Sequence, residues 1–305
     1  MNELQTMWSI SRRKSLINCP REYVLRYSGN QKQYTRKSIK SNKKSLEDIL
    51  VTSLREVMVE RLEDQKNGII WSKKMILLKL KMSLEFEISP KVLAKIKDSI
   101  PKFFDNLILS GKKQLESLWN TNIFRRISNS RIKRWSCLDR KKAAYDGHID
   151  IYCSPDLIFQ IQNKWHLLRI DFLGEKSNNF EDLEALGMVN WSIRNRNLPD
   201  LINKFKVHVL KFRDGKWLHQ KFMPYNNRLQ QSKQLFEKDV SQMNELVKKM
   251  GPMMNLSLIP LSNNYQYCKK CIFKKSCPAK NGLEKAKSEQ FLFEYNFTKE
   301  RLLSN

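Results

Sequence analysis

The fold turns on Ala143-Ala144-Tyr145-Asp146-Gly147-His148-Ile149-Asp150-Ile151-Tyr152 and on Trp165-His166-Leu167-Leu168-Arg169-Ile170-Asp171-Phe172-Leu173 just after it. Ile149 and Ile151 alternate with Asp150 and Tyr152, the period of two that sends successive side chains to opposite faces of a strand. Ala143–Tyr152 therefore reads as one strand and Trp165–Leu173 as a second, with a turn at Asn163-Lys164. Phe205–Phe212 reads as a third strand. Asp214-Gly215, a pair suited to a tight hairpin, leads into Lys216–Met223.

On either side the period lengthens to that of a helix. Ser9 or Ser11 can cap a short helix ending near Tyr27. Ser45-Leu46-Glu47-Asp48 is a capping box, and Ile49, Leu50, Leu54, Val57, Met58 and Leu62 carry helical spacing on to about Glu63. Helical patterns follow over Ser72–Glu85, from Pro90 to Ser110 and on to Trp119, over Asp182–Ile193, and over Asn227–Met250. Helices, strands, a helix, strands and a helix in that order predict an α/β core with a helical N-terminal portion.

The chain has 305 residues, with 57 Lys and Arg against 31 Asp and Glu, a net charge of +26. Its 41% hydrophobic content excludes wholesale disorder. No apolar run reaches the ~18 residues of a membrane-spanning helix. Met1–Arg13 lacks the apolar run of a secretory signal, so a cytoplasmic or nucleoid-associated protein is expected. Neither G-x-x-x-x-G-K nor G-x-G-x-x-G is present, which argues against an ATPase or a Rossmann enzyme. Charge of this size points to a polyanion, DNA first and RNA second. A solvated basic surface, or a lysine-rich composition without function, is the alternative. The basic stretch Gln31–Lys44 reads as a loop suited to a phosphate backbone.

Six cysteines are present. Cys268, Cys271 and Cys277 form C-x2-C-x5-C before Pro278, a spacing that lets thiolates converge on one metal. A fourth ligand must come from elsewhere, and Cys19, which also precedes a proline, is the best candidate. Cys137 and Cys153 read as small core residues. Four thiolates alone do not separate zinc from an iron–sulfur cluster.

Taken in order, the early Cys19-Pro20, the G-x-x-D of Gly147–Asp150, the strand-end Asp171, a helix, the Asp214-Gly215 hairpin, a long helix and C-x2-C-x5-C-P resemble one family. It is the RecB-like branch of the PD-(D/E)XK nuclease superfamily, most closely its iron–sulfur members, the AddB-type subunits and the CRISPR-adaptation exonucleases. The resemblance covers nearly the whole chain. It implies a single domain over 1–305: an N-terminal segment 1–30, a helical subdomain 31–130, a nuclease-like core 131–250 and a cysteine loop with tail 251–305. The core would be a mixed sheet flanked by helices. Cys19, Cys268, Cys271 and Cys277 would hold a [4Fe–4S] cluster clamping the two ends, with zinc as the runner-up. In that family two acids on adjacent strands, here Asp150 and Asp171, bind Mg or Mn, the metal activates water, and a lysine in D-x-K assists.

The family's supporting groups are altered. Leu173 stands at the D-x-K lysine, Arg55 at an early-helix histidine, and Glu184 and Met188 at a Q-x-x-x-Y. Lys176 is the candidate for a relocated lysine. Any surviving chemistry would rest on Asp150, Asp171, Glu184 and Lys176. The resemblance thus implies a catalytically impaired DNA-binding subunit of a DNA-processing, mobile-element or defence complex with protein partners. An active Mg- or Mn-dependent exonuclease and a pure protein–protein scaffold are the alternatives. Arg55, Arg125, Arg126, Arg131, Lys133 and Arg134 are candidate phosphate contacts. His166, His208 and His219 show no ligand spacing and read as ordinary surface or core histidines; His148 reads either as a ligand neighbouring Asp150 or as pointing away from the Asp150 face. Trp191, Trp217, Tyr23 and Tyr27 read as packing residues.

Overall fold

The protein is described by a computed structural model at residues 7–27, 45–88, 90, 93, 94, 101–174, 179–195, 197–250, 256–262, 264, 267, 268, 271–274 and 277. In chain order the elements are β1 (Met7–Ser9), α1 (Ile10–Asn18), α2 (Pro20–Tyr27), α3 (Leu46–Lys66), α4 (Lys73–Glu87), α5 (Pro101–Trp119), α6 (Asn122–Ser128), β2 (Trp135–Cys137), β3 (Ala144–Asp146), β4 (Ile149–Tyr152), β5 (Leu157–Ile161), β6 (Lys164–Asp171), α7 (Glu181–Ser192), β7 (Phe205–Arg213), β8 (Lys216–Phe222) and α8 (Asn226–Met250). The chain is α/β, as the alternation of periods predicts, with mixed sheets. It divides into two compact units, residues 1–43, 143–153 and 230–305 in the first and 44–142 and 154–229 in the second. This division cuts across the expected segments 31–130 and 131–250. Among the described residues, no helix is long and apolar enough to cross a membrane.

The first unit carries a three-stranded sheet ordered β1-β4-β3, with β1 parallel and β3 antiparallel to β4. The single strand expected over Ala143–Tyr152 is instead a hairpin. Gly147 takes a φ of 67°, which folds β3 back onto β4. Ser9 caps α1 by accepting from the Arg12 amide. Trp8, fully buried, packs on Phe236 of α8 with ring centroids 4.0 Å apart. Asp239 on the same helix accepts from the Trp8 indole at 2.8 Å and from Arg13 at 2.5 Å. Tyr23, Leu16 and Val24 pack with Met243, Leu246, Met250 and Ile259, so both ends of the chain contribute to one apolar cluster.

The second unit holds a five-stranded sheet ordered β2-β5-β6-β7-β8. Strands β6 and β7 run parallel and the other neighbours antiparallel. The Ser45 capping box forms with Asp48, and α3 packs with α4, α5 and α6 on one face of the sheet. Leu168, Ile170 and Leu210 point into that helical core. Alternation sends Asp171, Val209 and Lys211 to the opposite face, where α7 lies. Asp214 and Gly215 both have positive φ, as their hairpin requires. Strand β5 carries a run of buried apolar residues, Leu157, Ile158 and Phe159, with no alternation to announce it. The three-residue strands β1 and β2 are too short to show a period.

Candidate functional site

Asp150 lies on β4 of the three-stranded sheet, in register with Met7 and Tyr145. Asp171 ends β6 of the five-stranded sheet. The two acids expected on adjacent strands therefore belong to strands of different sheets. The Asp171 carboxylate is turned onto its own backbone, accepting from the Leu173 and Gly174 amides at 3.1 and 3.2 Å. That turn ends β6. Leu173 is 43% exposed, while Phe172 is buried in the helical core.

The acid on the strand next to Asp171 is Asp156, which the sequence reading passed over. It stands at the start of β5, beside the end of antiparallel β6. Its amide donates to the Leu168 carbonyl at 2.8 Å, and its carboxylate accepts from the Ile170 amide at 2.6 Å. Arg140 Nη2 lies 2.5 Å from one carboxylate oxygen, and Arg140 Nε binds the other. Arg55 Nε, from α3, is 3.6 Å from Asp156, and its Nη2 donates to the Ile170 carbonyl at 3.4 Å. Burial raises the Asp156 carboxyl, but Arg140 and Arg55 outweigh it and hold the group below the ordinary carboxylate range. Burial and the neighbouring Arg140 lower Arg55 to about 10, opposed by Asp156 and Asp171. Arg55, expected as a phosphate contact, is thus held internally, at the position the resemblance gives to a histidine. With Asp156 occupied by guanidinium and amide donors, its carboxylate offers little open oxygen to a hard divalent cation. A signal for Asp156 was present in Pro155-Asp156 before an apolar run, masked by the stronger G-x-x-D.

On the α7 face, Glu184 and Met188 are buried in the middle of the helix. Lys211 on β7 is in register with Asp171 and is 5% exposed. Its amine binds Glu181 at the start of α7. Lys176 lies outside the described residues.

The cysteines gather within the first unit. Cys19, between α1 and α2, is buried, and burial raises its thiol, with smaller contributions from Cys268, Cys277 and Glu22. Burial also pushes Cys271 up to about 11, with Glu22, Cys19 and Cys277 adding to it. Four thiols from the two ends of the chain therefore lie within electrostatic reach of one another. The Glu22 amide donates to the Cys19 sulfur at 3.4 Å, and the Glu22 carboxylate accepts from the Tyr267 hydroxyl. Cys268 and Cys277 pack against Leu261. Among the described residues, no group of three or more His, Cys, Asp or Glu side chains is arranged to hold a metal ion. Cys153 is buried, and Cys137 is half-buried in β2 with its thiol pushed up to about 12, chiefly by burial.

The candidate phosphate contacts Arg125 and Arg126 lie on α6, and Arg131, Lys133 and Arg134 on the loop after it; all but the half-buried Arg126 are exposed. Trp191 donates to the Lys142 carbonyl at 2.9 Å and Trp217 to Ser117 at 3.1 Å, as packing residues do. His148 is exposed on the β3–β4 turn. The other histidines are not ordinary. His166 Nδ1 is 2.7 Å from His208 Nε2, and His208 Nδ1 is 2.9 Å from His219 Nε2. Three residues distant in sequence thus form one hydrogen-bonded row across β6, β7 and β8. Nothing local signals it, because strand register alone brings them together. No family model matches the chain, and no curated protein matches it.

Proposed function

We propose that the protein binds DNA on a RecB-like nuclease fold that has lost its cutting centre, as a subunit of a DNA-processing, mobile-element or defence assembly. The observation that carries this reading is the occupancy of Asp156 by Arg140 and Arg55. A carboxylate already balanced by guanidinium groups has little charge left for a divalent ion. The net charge of +26 and the exposed Arg125, Arg131, Lys133 and Arg134 supply a surface for phosphates. Cys19, Cys268, Cys271 and Cys277 match an iron–sulfur cluster in kind and number, with zinc as the second choice. Bound there, the cluster would supply a cross-link between the early helices and the C-terminal loop. As metal-bound thiolates the four would place negative charge beside the buried Glu22, which the bound metal would offset.

The test is DNA affinity across 50–200 mM salt, together with incubation of end-labelled DNA with Mn²⁺. Salt-sensitive binding and intact DNA are expected. Binding that ignores salt, or digestion abolished by Asp171→Ala, would overturn the reading.

One observation favours a second reading, an active metal-dependent exonuclease. Lys211 is a buried lysine in register with Asp171 on the next strand. In that case digestion is lost in Lys211→Met as well as in Asp171→Ala.

A further inference from the structure

The histidine row sits among lysines in a regular pattern. On the sheet face that meets the helical core, His166 of β6 is in register with Lys206 of β7, and His208 of β7 with Lys221 of β8. Lys164 lies two residues before His166, so alternation puts it on the same face. Arg126 of α6 approaches from the helical layer and acts on His166. Phe159 of β5 stacks on the His166 ring, 4.9 Å between centroids, and closes the row at its inner end. His219 is exposed and opens the row to solvent at the other. Apart from the rings' own mutual effect on His208, the charged groups acting on the three rings are Lys164, Lys206, Lys221 and Arg126, all cations.

Like charges gathered at one rim of a sheet repel, and a polyanion relieves that repulsion. The rings add a second element. Each inner ring uses a nitrogen toward its neighbour, so a proton entering at His219 can be handed along the row by exchanging donor and acceptor roles. Burial and the surrounding cations keep the rings neutral in the free protein, His166 lowered to about 4 and His208 to about 3. A phosphate backbone laid over the rim offsets the cations and removes that opposition.

We propose that this rim, Lys164, Lys206, Lys221 and Arg126 around the row His166–His208–His219, binds the phosphodiester backbone of DNA, and that binding draws protons onto the histidines. The inference rests on the reading of the protein as a DNA-binding one and names its contact surface and its pH response. Linkage makes the effect reciprocal: if DNA favours protonation, acid favours DNA. Each proton taken up raises affinity by up to about tenfold per pH unit of acidification.

The experiment uses the full chain and a fluorescein-labelled single-stranded oligonucleotide. Affinity is measured from pH 7.5 to 5.5 at fixed salt and from 50 to 200 mM salt at fixed pH. Calorimetry in two buffers of different ionisation enthalpy counts the protons taken up. Wild type is expected to bind more tightly as pH falls, with net proton uptake near pH 6. Lys206→Gln with Lys221→Gln, surface changes on β7 and β8, is expected to flatten the salt slope by about 1.4, or ~0.7 per lost phosphate contact. His219→Gln is expected to reduce proton uptake and to flatten the pH dependence of DNA affinity. An unchanged salt slope in the lysine variant, or no proton uptake by wild type, overturns this inference and leaves DNA binding standing. A wild type that binds no DNA at 50 mM salt overturns both.

Discussion

The guanidinium of Arg55 lies 3.6 Å from the carboxylate of Asp156, and both groups meet the backbone of Ile170. One helix residue and one strand-start acid thereby pin the end of β6 from two sides. This contact joins the helical layer to the sheet, and it places a cation beside the acid that neighbours Asp171.

Removing Asp156 leaves Arg55 and Arg140 side by side without the carboxylate that pairs with both and leaves the Ile170 amide without its acceptor. Breaking such a pair from one side costs on the order of 3 kcal/mol. Asp156→Ala should lower the urea midpoint accordingly, and Asp156→Asn should recover part of the loss through the Ile170 amide. Because the Asp156 pKa is depressed in the folded protein, its contribution is present above the ordinary carboxylate range and fades as pH falls through the depressed value. An Asp156→Asn variant with the same acid-unfolding profile as wild type would count against this assignment.

Gly174 is a second point of control. Its φ is 58°, and a Cβ there would meet the Phe212 carbonyl oxygen at 1.6 Å. Backbone cannot yield as a side chain does, so Gly174→Ala should destabilise by more than about 1 kcal/mol. The matching change at Gly215, where a Cβ meets nothing within 4 Å, should cost less. Thermal melts of the two variants compare them directly, and equal losses would argue against the close approach.

The histidine row should make the DNA-free protein acid-sensitive. Burial first, and neighbouring cations and rings next, lower His166 and His208. The unfolded chain then binds protons that the folded chain refuses. Stability should therefore fall as pH drops below the ordinary histidine value of about 6.5, before the carboxylates titrate. Urea midpoints between pH 7 and 4.5 read this, and a flat profile would show that the rings are not held neutral.

Asp239 is the anchor of the first unit. Asp239→Ala removes the carboxylate that accepts from both the buried Arg13, 4% exposed, and the Trp8 indole. A loss on the order of 3 kcal/mol is expected, against about 1 kcal/mol for Trp8→Phe, which removes one hydrogen bond and little area.

If the four thiols hold a [4Fe–4S] cluster, anaerobically purified protein should be brown, with about four irons per chain. Cys19→Ser and Cys271→Ser should each lose the iron, whereas Cys153→Ser should keep it. Stoichiometric zinc without iron would replace the cluster by the second choice.

Much of the architecture was legible as local pattern. The capping box at Ser45–Asp48, the apolar stripe of α3, the alternation in β4 and the Asp214-Gly215 turn each depend on residues a few positions apart, and each forms as read. Gly147 was legible too, yet the alternation around it suggested a continuous strand where a positive φ makes a hairpin. Strand β5, buried on both faces, showed no period to read.

The candidate sites divide along the same line. Cysteine spacing is local information, and it pointed to Cys268, Cys271 and Cys277 and drew attention to Cys19. The pairing of Asp156 with Arg55 and Arg140, the register of Lys211 with Asp171 and the row of His166, His208 and His219 were settled only by tertiary structure. Each depends on which strands become neighbours and at what offset. Those are choices made by burying apolar faces across long sequence separations, and a shift of one residue would turn every one of these side chains to the other face.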